Sequence, residues 1–387
     1  MRRLAAISLA LMCSSAAAQE QAIEPHVDGR ILDLSVNITG DDFRDNGPIW
    51  WRSDFSKVGA KSIRLFLRVV EGTELPAVIE LEGEDGVARS YDIADIGTDG
   101  RWTGMFPGGR VVISLLSDTR PDGLSLMIEE MAIETETGTL YSIWGGEDET
   151  AHINDAAVPQ SIRDLGAPVA KLSFFLGGKP RSCTGTLINR DHLLTNQHCV
   201  ADAATCRSAI AVFGYERTAD NRLRLGQQFD CAEVKEVLVN FELDASLIRL
   251  DGTPGDTFGF HKIDPVATDA VISEELAIIQ HPGGNEKQIS FINCTVMALP
   301  VDGRANETDF SHTCDTAGGS SGSPVFNANG VLVGLHHYGF NDGQIEEWTE
   351  NRAVRMSGIT DWLQQQGIVQ SPSDGATSEG TNSTLGD

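Results

Sequence analysis

Residues 315–325 read Asp315-Thr-Ala-Gly-Gly-Ser-Ser-Gly-Ser-Pro-Val325, and this stretch decides how the rest of the 387-residue chain is interpreted. It places Ser321 between glycines, which leave backbone N–H groups free to face a developing oxyanion. A serine hydroxyl is a weak nucleophile by itself, so it needs a general base, a group that orients the base, and oxyanion donors. We therefore expect the rest of the chain to supply a histidine and a carboxylate.

Two further motifs precede the serine. Leu194-Thr-Asn-Gln-His-Cys199 carries His198 beside a cysteine, and Phe241-Glu-Leu-Asp-Ala-Ser-Leu-Ile248 places Asp244 at the start of an apolar strand. A lone histidine or aspartate is usually structural, but three motifs in the order His, Asp, Ser support one another. This order, with no G-x-S-x-G elbow, differs from subtilisin-like enzymes and α/β-hydrolases. The motifs resemble those of the chymotrypsin-like (trypsin-fold) serine peptidases.

The resemblance implies an all-β fold, with a double β-barrel peptidase domain over residues 166–367 that ends in a C-terminal helix. It also implies catalytic roles. His198 would accept the proton of Ser321 and later donate it to the leaving amine, and Asp244 would hold the imidazole in the required tautomer. The N–H groups of Gly319 and Ser321 would form the oxyanion hole.

The cysteines fit an exported protein with disulfides. Cys183 lies sixteen positions before Cys199, and the resembled family places a disulfide there that clamps the histidine loop; a loop of this length is worth roughly 3 kcal/mol. The other cysteines after the first twenty residues are Cys206, Cys231, Cys294 and Cys314. Pairing the first two and the last two is the most local of three possible connectivities. Because the sequence has no CxxC pair or HExxH motif, we expect no metal and no cofactor.

The residues expected to line the substrate pocket allow more than one specificity. The Ser-Gly-Ser-Pro sequence that begins at Ser321 resembles the bacterial glutamyl and lysyl endopeptidases. Thr316 and His336 coincide with the Thr and His that bind acidic side chains in the glutamyl branch, and Gly339 would keep the pocket entrance open. Because a hydroxyl and a protonated imidazole pair with a carboxylate, we predict Glu or Asp at P1, the residue before the cleaved bond. Asp315 stands where trypsins keep the acid that binds Lys or Arg, so a preference for Lys or Arg at P1 is the alternative. A purely structural role for His336 and His337 at the pocket rim also stays open.

Residues 19–145 are expected to form a β-sandwich-like N-terminal domain, because short strand-like runs alternate with turn clusters and no helical period. The predicted strands are Ser62–Val70, Ala77–Glu82, Ala88–Ile96, Arg110–Leu116 and Leu124–Ile133. Trp50 and Trp51 are predicted to pack in the core or between domains. This part looks like the prosegment of some lysyl-endopeptidase-like proteins, and it would be either a cleaved pro-domain or a permanent accessory domain. Ser320 replaces the aspartate that animal trypsins use for zymogen activation, so we expect that switch to be absent.

The remaining segments complete the predicted organisation. Residues 1–18 carry a positive start, a short apolar run and a small-x-small cleavage signal, which is typical of a signal peptide and predicts secretion or a periplasmic location. Residues 146–165 are expected to be a linker, and a helix is predicted near Thr360–Gln366 with Thr360 or Asp361 as its cap. Residues 368–387 are polar and glycine-rich and are expected to be disordered.

The net charge of −27 at pH 7 excludes nucleic acid and anionic membranes as natural partners. The expected partners are protein or peptide substrates, without membrane insertion. Two other functions remain open: a secreted binding protein that uses the sandwich domain and has an inactive peptidase domain, and an acyl hydrolase that cleaves esters. The sequence does not determine the oligomeric state.

Overall fold

The structure is a computed structural model that describes residues 24–44, 47–135, 141–145, 148–232, 237–266, 269–340 and 350–370. The predicted signal peptide lies outside the described residues, and so does most of the predicted tail. Strands dominate, and they form an N-terminal pair of sheets followed by two barrels. No helix in the described ranges is long and apolar enough to cross a bilayer.

The N-terminal part consists of strands that, except for β1, form two sheets. They are β1 (His26–Val27), β2 (Gly29–Ile38), β3 (Ile49–Ser56), β4 (Ser62–Glu71), β5 (Val78–Gly83), β6 (Ala88–Asp92), β7 (Arg101–Trp102), β8 (Phe106–Pro107), β9 (Arg110–Leu116) and β10 (Ser125–Glu134). One sheet has the order β2-β10-β4-β7 with β8 beside β4, and the other has the order β3-β9-β5-β6. Alternate apolar side chains of both sheets, such as Leu65 and Ile113, are fully buried in one shared core, as a half-buried strand requires.

The strand predictions for this part are correct to within one or two residues, with one exception. The run Ala88–Ile96 was expected to be one strand, but β6 ends at Asp92 and Ile93–Ile96 form the short helix α1. Gly97, with a φ of 61°, ends that helix in a conformation that favours glycine. Trp50 and Trp51 pack against the core, and the Trp50 indole donates to the carbonyl of Ser117 at 2.9 Å.

Two short strands follow in the connecting segment, β11 (Tyr141–Ser142) and β12 (Ala151–His152). The first pairs with a strand near Ser321, and the second extends a sheet of the second barrel. The stretch 146–165 that was expected to be a linker therefore contains ordered structure, including helix α2 (Gln160–Arg163).

The first barrel is built from β13 (Val169–Leu176), β14 (Lys179–Leu187), β15 (His192–Asn196), β16 (Ile210–Arg217), β17 (Leu223–Asp230), β18 (Leu238–Asn240) and β19 (Ala245–Arg249). Its order is β17-β16-β13-β14-β15-β19-β18. A bridge between Cys231 and Leu250 joins the chain after β17 to the chain after β19, so the sheet closes on itself. Helices α3 (Ala203–Ser208) and α4 (Gly255–Phe258) lie in its connections.

The second barrel contains β20 (Leu276–Gln280), β21 (Gln288–Ser290), β22 (Val296–Val301), β23 (Asp309–His312), β24 (Thr316–Ala317), β25 (Pro324–Asn327), β26 (Leu332–Phe340) and β27 (Glu350–Arg355). The order is β12-β21-β20-β25-β26-β27-β23-β22, and β24 pairs separately with β11. A bridge from Glu275 to Thr295 joins the two ends of the barrel and closes it.

Helix α5 (Met356–Gln365) follows the second barrel. Its buried residues Ile359, Trp362 and Leu363 repeat at helical spacing and face the core between the barrels. The helix begins at Met356, four residues before the predicted Thr360, and its N-cap position is Arg355 rather than Thr360 or Asp361. The first turn is capped from a distant segment, because the Asp269 carboxylate accepts the N–H of Ser357 at 3.0 Å, and no local motif reveals that contact.

Buried charges join the N-terminal domain to the first barrel. Lys171 on β13 is 1% exposed, and its ammonium donates to the Glu134 carboxylate of β10 at 3.1 Å. Burial alone would raise the pKa of Glu134, but the positive charge of Lys171 holds it below its ordinary value. Arg64 on β4 donates to the carbonyl of Ser208 at 2.9 Å, and β1 pairs with β14 as an added strand.

We predict that Glu134→Gln lowers the free energy of unfolding by about 3–5 kcal/mol, because it leaves the Lys171 charge buried and uncompensated. Urea unfolding at pH 7 measures the change. The control is Asp54→Asn, which breaks the exposed pair with Arg110 and is expected to change stability by less than about 1 kcal/mol. Equal effects of the two variants would contradict this interpretation of the interface.

Candidate active site

The local fold places His198 in the wall between the barrels. It follows β15, and the disulfide Cys183–Cys199 joins its loop to β14. The same chain has the disulfides Cys206–Cys231 and Cys294–Cys314, the most local of the connectivities that the sequence left open. The His198 side chain is only 3% exposed, so its ring orientation depends on its partners.

Asp244 supplies the orienting group. Its side chain is fully buried, and one carboxylate oxygen lies 2.8 Å from Nδ1 of His198 while the other accepts the His198 backbone N–H at 3.0 Å. The residue lies directly before β19 with a φ of 44°, and its carbonyl accepts from the side chain of Asn196 and the N–H of Gln197. Burial alone would raise the pKa of Asp244, but the charges and hydrogen bonds of its imidazole neighbours hold it well below the ordinary range.

Ser321 lies in the turn between β24 and β25. Its hydroxyl donates to the carbonyl of His337 at 3.1 Å, whereas Nε2 of His198 is buried without a hydrogen-bond partner among the described residues. The structure thus brings the histidine and the aspartate into contact. The hydrogen bond between Ser321 and His198 is not formed in this arrangement.

The glycine loop before Ser321 is held from three sides. Gly319 has a φ of 98°, and a Cβ there would lie 2.7 Å from the carbonyl oxygen of His281, so the position requires glycine. The hydroxyl of Thr184 donates to the Gly319 carbonyl at 2.9 Å, and the N–H of Gly283 donates to the carbonyl of Gly318. Within the described ranges, the N–H groups of Gly319 and Ser321 donate to no protein acceptor, which leaves them available for an anion.

A second histidine lies behind Asp244, and the sequence did not reveal this role. His337 is 1% exposed; its Nδ1 is 3.3 Å from the Asp244 carboxylate and its Nε2 is 2.7 Å from the Asp309 carboxylate. Burial alone would lower the pKa of His337, but the two carboxylates raise it to about 9. Arg304 adds a further cation, 3.0 Å from the other oxygen of Asp244. A structural position at the pocket rim was the expected alternative for His337, and the structure instead places it in the buried network.

Two of the predicted pocket residues, Thr316 and Gly339, meet at the side chain of Asn351, where β24, β26 and β27 come together. Thr316 donates to the side-chain carbonyl of Asn351 at 3.0 Å, and a Cβ on Gly339 would lie 2.8 Å from the same oxygen. Asn351 was not predicted, since an isolated asparagine carries no sequence signal. His336 is 2% exposed, and its Nδ1 lies 3.3 Å from Nε2 of His312. Burial, together with the neighbouring imidazoles, lowers the pKa of His336 well below its usual range, which favours the neutral ring.

Asp315 does not point freely into this pocket. Its two carboxylate oxygens accept the backbone N–H groups of Trp144 at 2.8 Å and Glu149 at 2.9 Å. Burial raises the pKa of Asp315 above its usual value, and these two hydrogen bonds oppose that shift. A carboxylate with both oxygens engaged by the chain itself is a poor receptor for a lysine or arginine side chain.

One cluster in the described ranges has the composition of a metal site. The ligand atoms of Cys183, His198 and Cys199 lie within 4.8 Å of one another. Both cysteines are joined in a disulfide, so neither offers the thiolate that a metal would need.

Comparison with known proteins finds one family model and several partial relatives. Residues 183–335 match the family model of the trypsin-like peptidase domain. An uncharacterized protein of Sinorhizobium fredii is 29% identical over 177 residues, which cover 43% of this chain and 27% of that protein. Secreted RxLR effector protein 73 of Plasmopara viticola is 29% identical over 181 residues, 41% of each chain. Exfoliative toxin A of Staphylococcus aureus is 29% identical over 165 residues, 40% of this chain and 55% of the toxin. The matched part thus spans about a quarter to a half of these relatives.

Solved structures to which this chain is similar include a Glu endopeptidase in complex with MPD, with a TM-score of 0.42, 22% identity, and coverage of 58% of this chain and 99% of that one. A thermostable serine protease AL20 from an extremophilic microorganism gives a TM-score of 0.41 at 15% identity, over 54% of this chain and all of that one. The match of residues 183–335 confirms the resemblance to the trypsin-fold peptidases. The strands of the two barrels and of the N-terminal sheets, with the C-terminal helix, confirm the predicted all-β fold class.

The raised pKa of His337 predicts a pH dependence of stability. A histidine with a folded-state pKa near 9 and an ordinary pKa of 6.5 contributes stability that is fully present below pH 6.5 and is lost as the pH rises through 9. We expect Asp309→Asn to remove part of this dependence, because one of the two carboxylates that stabilise the imidazolium loses its charge. Urea unfolding at pH 6.5 and 9.5 measures the difference, with the exposed Asp122→Asn as the control. An unchanged difference in Asp309→Asn would refute the assignment of a charged His337.

Proposed function

We propose that this chain, which contains a trypsin-like peptidase domain over residues 183–335, is a serine endopeptidase that cleaves peptide bonds through an acyl-enzyme on Ser321. The observation that carries the proposal is the buried contact between Asp244 and Nδ1 of His198 at 2.8 Å. A carboxylate at Nδ1 fixes the tautomer that leaves a lone pair on Nε2, which is the atom that a general base uses.

The proposed catalytic sequence uses these groups in turn. The Ser321 side chain would first have to turn away from the His337 carbonyl and hydrogen-bond Nε2 of His198, which has no partner among the described residues. The serine then loses its proton to His198 as its oxygen attacks the substrate carbonyl, and the same proton passes to the leaving amine. The free N–H groups of Gly319 and Ser321 would stabilise the oxyanion, and removing one such donor typically costs about 3–4 kcal/mol in the transition state.

The proposed preference is for Glu or Asp at P1. The donors that would line this pocket are the Thr316 hydroxyl, which donates to Asn351 in this structure, and the Asn351 amide, which donates to Ser142. The His336 imidazole lies on the adjoining strand β26. Hydrogen-bond donors of this kind suit a carboxylate. The carboxylate of Asp315 is already engaged by two backbone N–H groups, which disfavours the alternative preference for Lys or Arg.

One observation favours the competing function, a secreted binding protein with an inactive peptidase domain. The Ser321 hydroxyl hydrogen-bonds the His337 carbonyl rather than His198. The three disulfides fit the proposal that the protein acts outside the cytoplasm, and that location suits either function. Measuring the reactivity of Ser321 separates the two.

We predict that a fluorophosphonate probe labels Ser321 and that the protein hydrolyses casein. Ser321→Ala and His198→Ala should abolish labelling and lower hydrolysis by at least 10³-fold, because each removes a member of the proton-transfer unit. Each protein is assayed intact and after limited digestion with thermolysin. Thermolysin is a metalloprotease, so the probe does not label it, and a chelator stops it before the assay. Ser56→Ala, on an exposed face of the N-terminal domain, is the control. No Ser321-dependent labelling in either form would refute the enzyme and leave the binding protein.

We predict that mass spectrometry of a digested peptide library finds cleavage after Glu and Asp. Thr316→Val should raise KM for a Glu substrate by about 10-fold or more, since it removes a hydroxyl from the pocket wall. The same change should have a smaller effect on a substrate with Gln at P1. Cleavage mainly after Lys or Arg, abolished by Asp315→Asn, would assign the pocket to Asp315 instead.

A further inference from the structure

A segment of this same chain lies in the pocket that the proposed function gives to substrate. We call residues 141–145 the cleft segment. Its strand β11 pairs antiparallel with β24, with Tyr141 opposite Ala317 and Ser142 opposite Thr316. Extended peptides commonly bind proteins by adding such a strand. The pairing lies four residues before Ser321 and two before Gly319, at the edge of the oxyanion loop.

The Ser142 side chain occupies the interior of the pocket. It is 6% exposed, and its hydroxyl donates to the Asn351 side-chain carbonyl at 2.6 Å while the Asn351 amide donates back to the Ser142 carbonyl at 3.1 Å. A Cβ on Gly339 would lie 2.5 Å from the Ser142 hydroxyl oxygen. Ser142 therefore fills the space between Gly339, Thr316 and Asn351, the three residues assigned to the pocket.

The chain beyond Ser142 is fixed by Asp315. The Trp144 N–H, within the cleft segment, and the Glu149 N–H, just beyond it, donate to the two oxygens of that carboxylate. The one acidic residue that the sequence offered as a receptor for a basic side chain thus serves to anchor the connecting segment.

We propose that the cleft segment is an autoinhibitory strand that excludes substrate from the pocket in the intact chain, with Asn351 and Asp315 as its two anchors. The proposal rests on the proposed function, since it assumes that this pocket binds the P1 side chain. An intramolecular strand competes at an effective concentration in the millimolar range for short connections. A segment that occupies the cleft 90–99% of the time raises the apparent KM by about 10–100-fold and leaves kcat unchanged.

The inhibition differs from the zymogen switch of animal trypsins. That switch needs an aspartate at the position of Ser320, and Ser320 has no carboxylate. Displacing the cleft segment does not require loss of the N-terminal domain, because that domain has its own anchors on the first barrel, the Lys171–Glu134 ion pair and the β1–β14 pairing. A cut or a shift in the connecting segment is sufficient to open the pocket.

The test uses the intact chain with Ser142→Trp, which forces a large side chain against Gly339 and Asn351 and expels the cleft segment. We expect KM for a short chromogenic peptide with Glu at P1 to fall by at least 10-fold while kcat changes less than twofold. The matched control is Ser56→Trp, which adds the same side chain on an exposed face away from the site. An unchanged or higher KM in Ser142→Trp, with normal fluorophosphonate labelling of Ser321, would overturn the proposal.

A second measurement decides the proposal even if the protein shows no peptidase activity. Hydrogen exchange of the Trp144 and Glu149 amides should be slow in the intact Ser321→Ala variant. It should accelerate at least 10-fold when Asp315→Asn or Ser142→Trp is added. Fast exchange of both amides in Ser321→Ala means that the cleft segment is not held, and the proposal is then wrong. Slow exchange in Ser321→Ala, combined with no labelling of Ser321 in any variant that keeps this serine, would instead refute the proposed function alone.

Discussion

The buried carboxylate of Asp244 is the constraint on which the site depends. A carboxylate with no exposure is costly unless hydrogen-bond donors and positive charge surround it. Here the donors come from both barrels: His198 from the first, and His337 and Arg304 from the second. The charge that orients the candidate base therefore also holds the two barrels in register, and the cleft between them depends on it.

His337 and Asp309, which lie behind Asp244, set the charge around that carboxylate. Burial alone would lower the pKa of His337, but Asp309 and Asp244 raise it to about 9. At neutral pH Asp244 therefore has the positive charge of His337 on one side and His198 on the other. A carboxylate stabilised from both sides remains ionised, and its affinity for the proton of His198 is low. The free Nε2 of His198 is then the natural proton acceptor for a nucleophile placed beside it.

The sequence predicted the parts of the site that have local signatures. His198, Asp244 and Ser321 each lie in a short motif with characteristic flanks, the strands of the N-terminal domain show period-two burial, and the Cys183–Cys199 disulfide accompanies the histidine motif. Features made by contacts distant in sequence were missed. His337 and Asp309 are 28 positions apart, the cap of α5 comes from Asp269, and a two-residue strand such as β11 has no periodicity to detect. The direction of the Ser321 hydroxyl depends on neighbours that only the folded chain supplies.

The most direct test of the account is the effect of Asp244→Asn on the rate of fluorophosphonate labelling of Ser321 at pH 7. It is measured with and without Ser142→Trp, so that occupancy of the cleft does not mask the chemistry. We expect a folded protein that labels about 10⁴-fold more slowly in both backgrounds, because the amide stabilises the wrong tautomer of His198. Labelling at the rate of the parent protein would show that Asp244 does not orient the base.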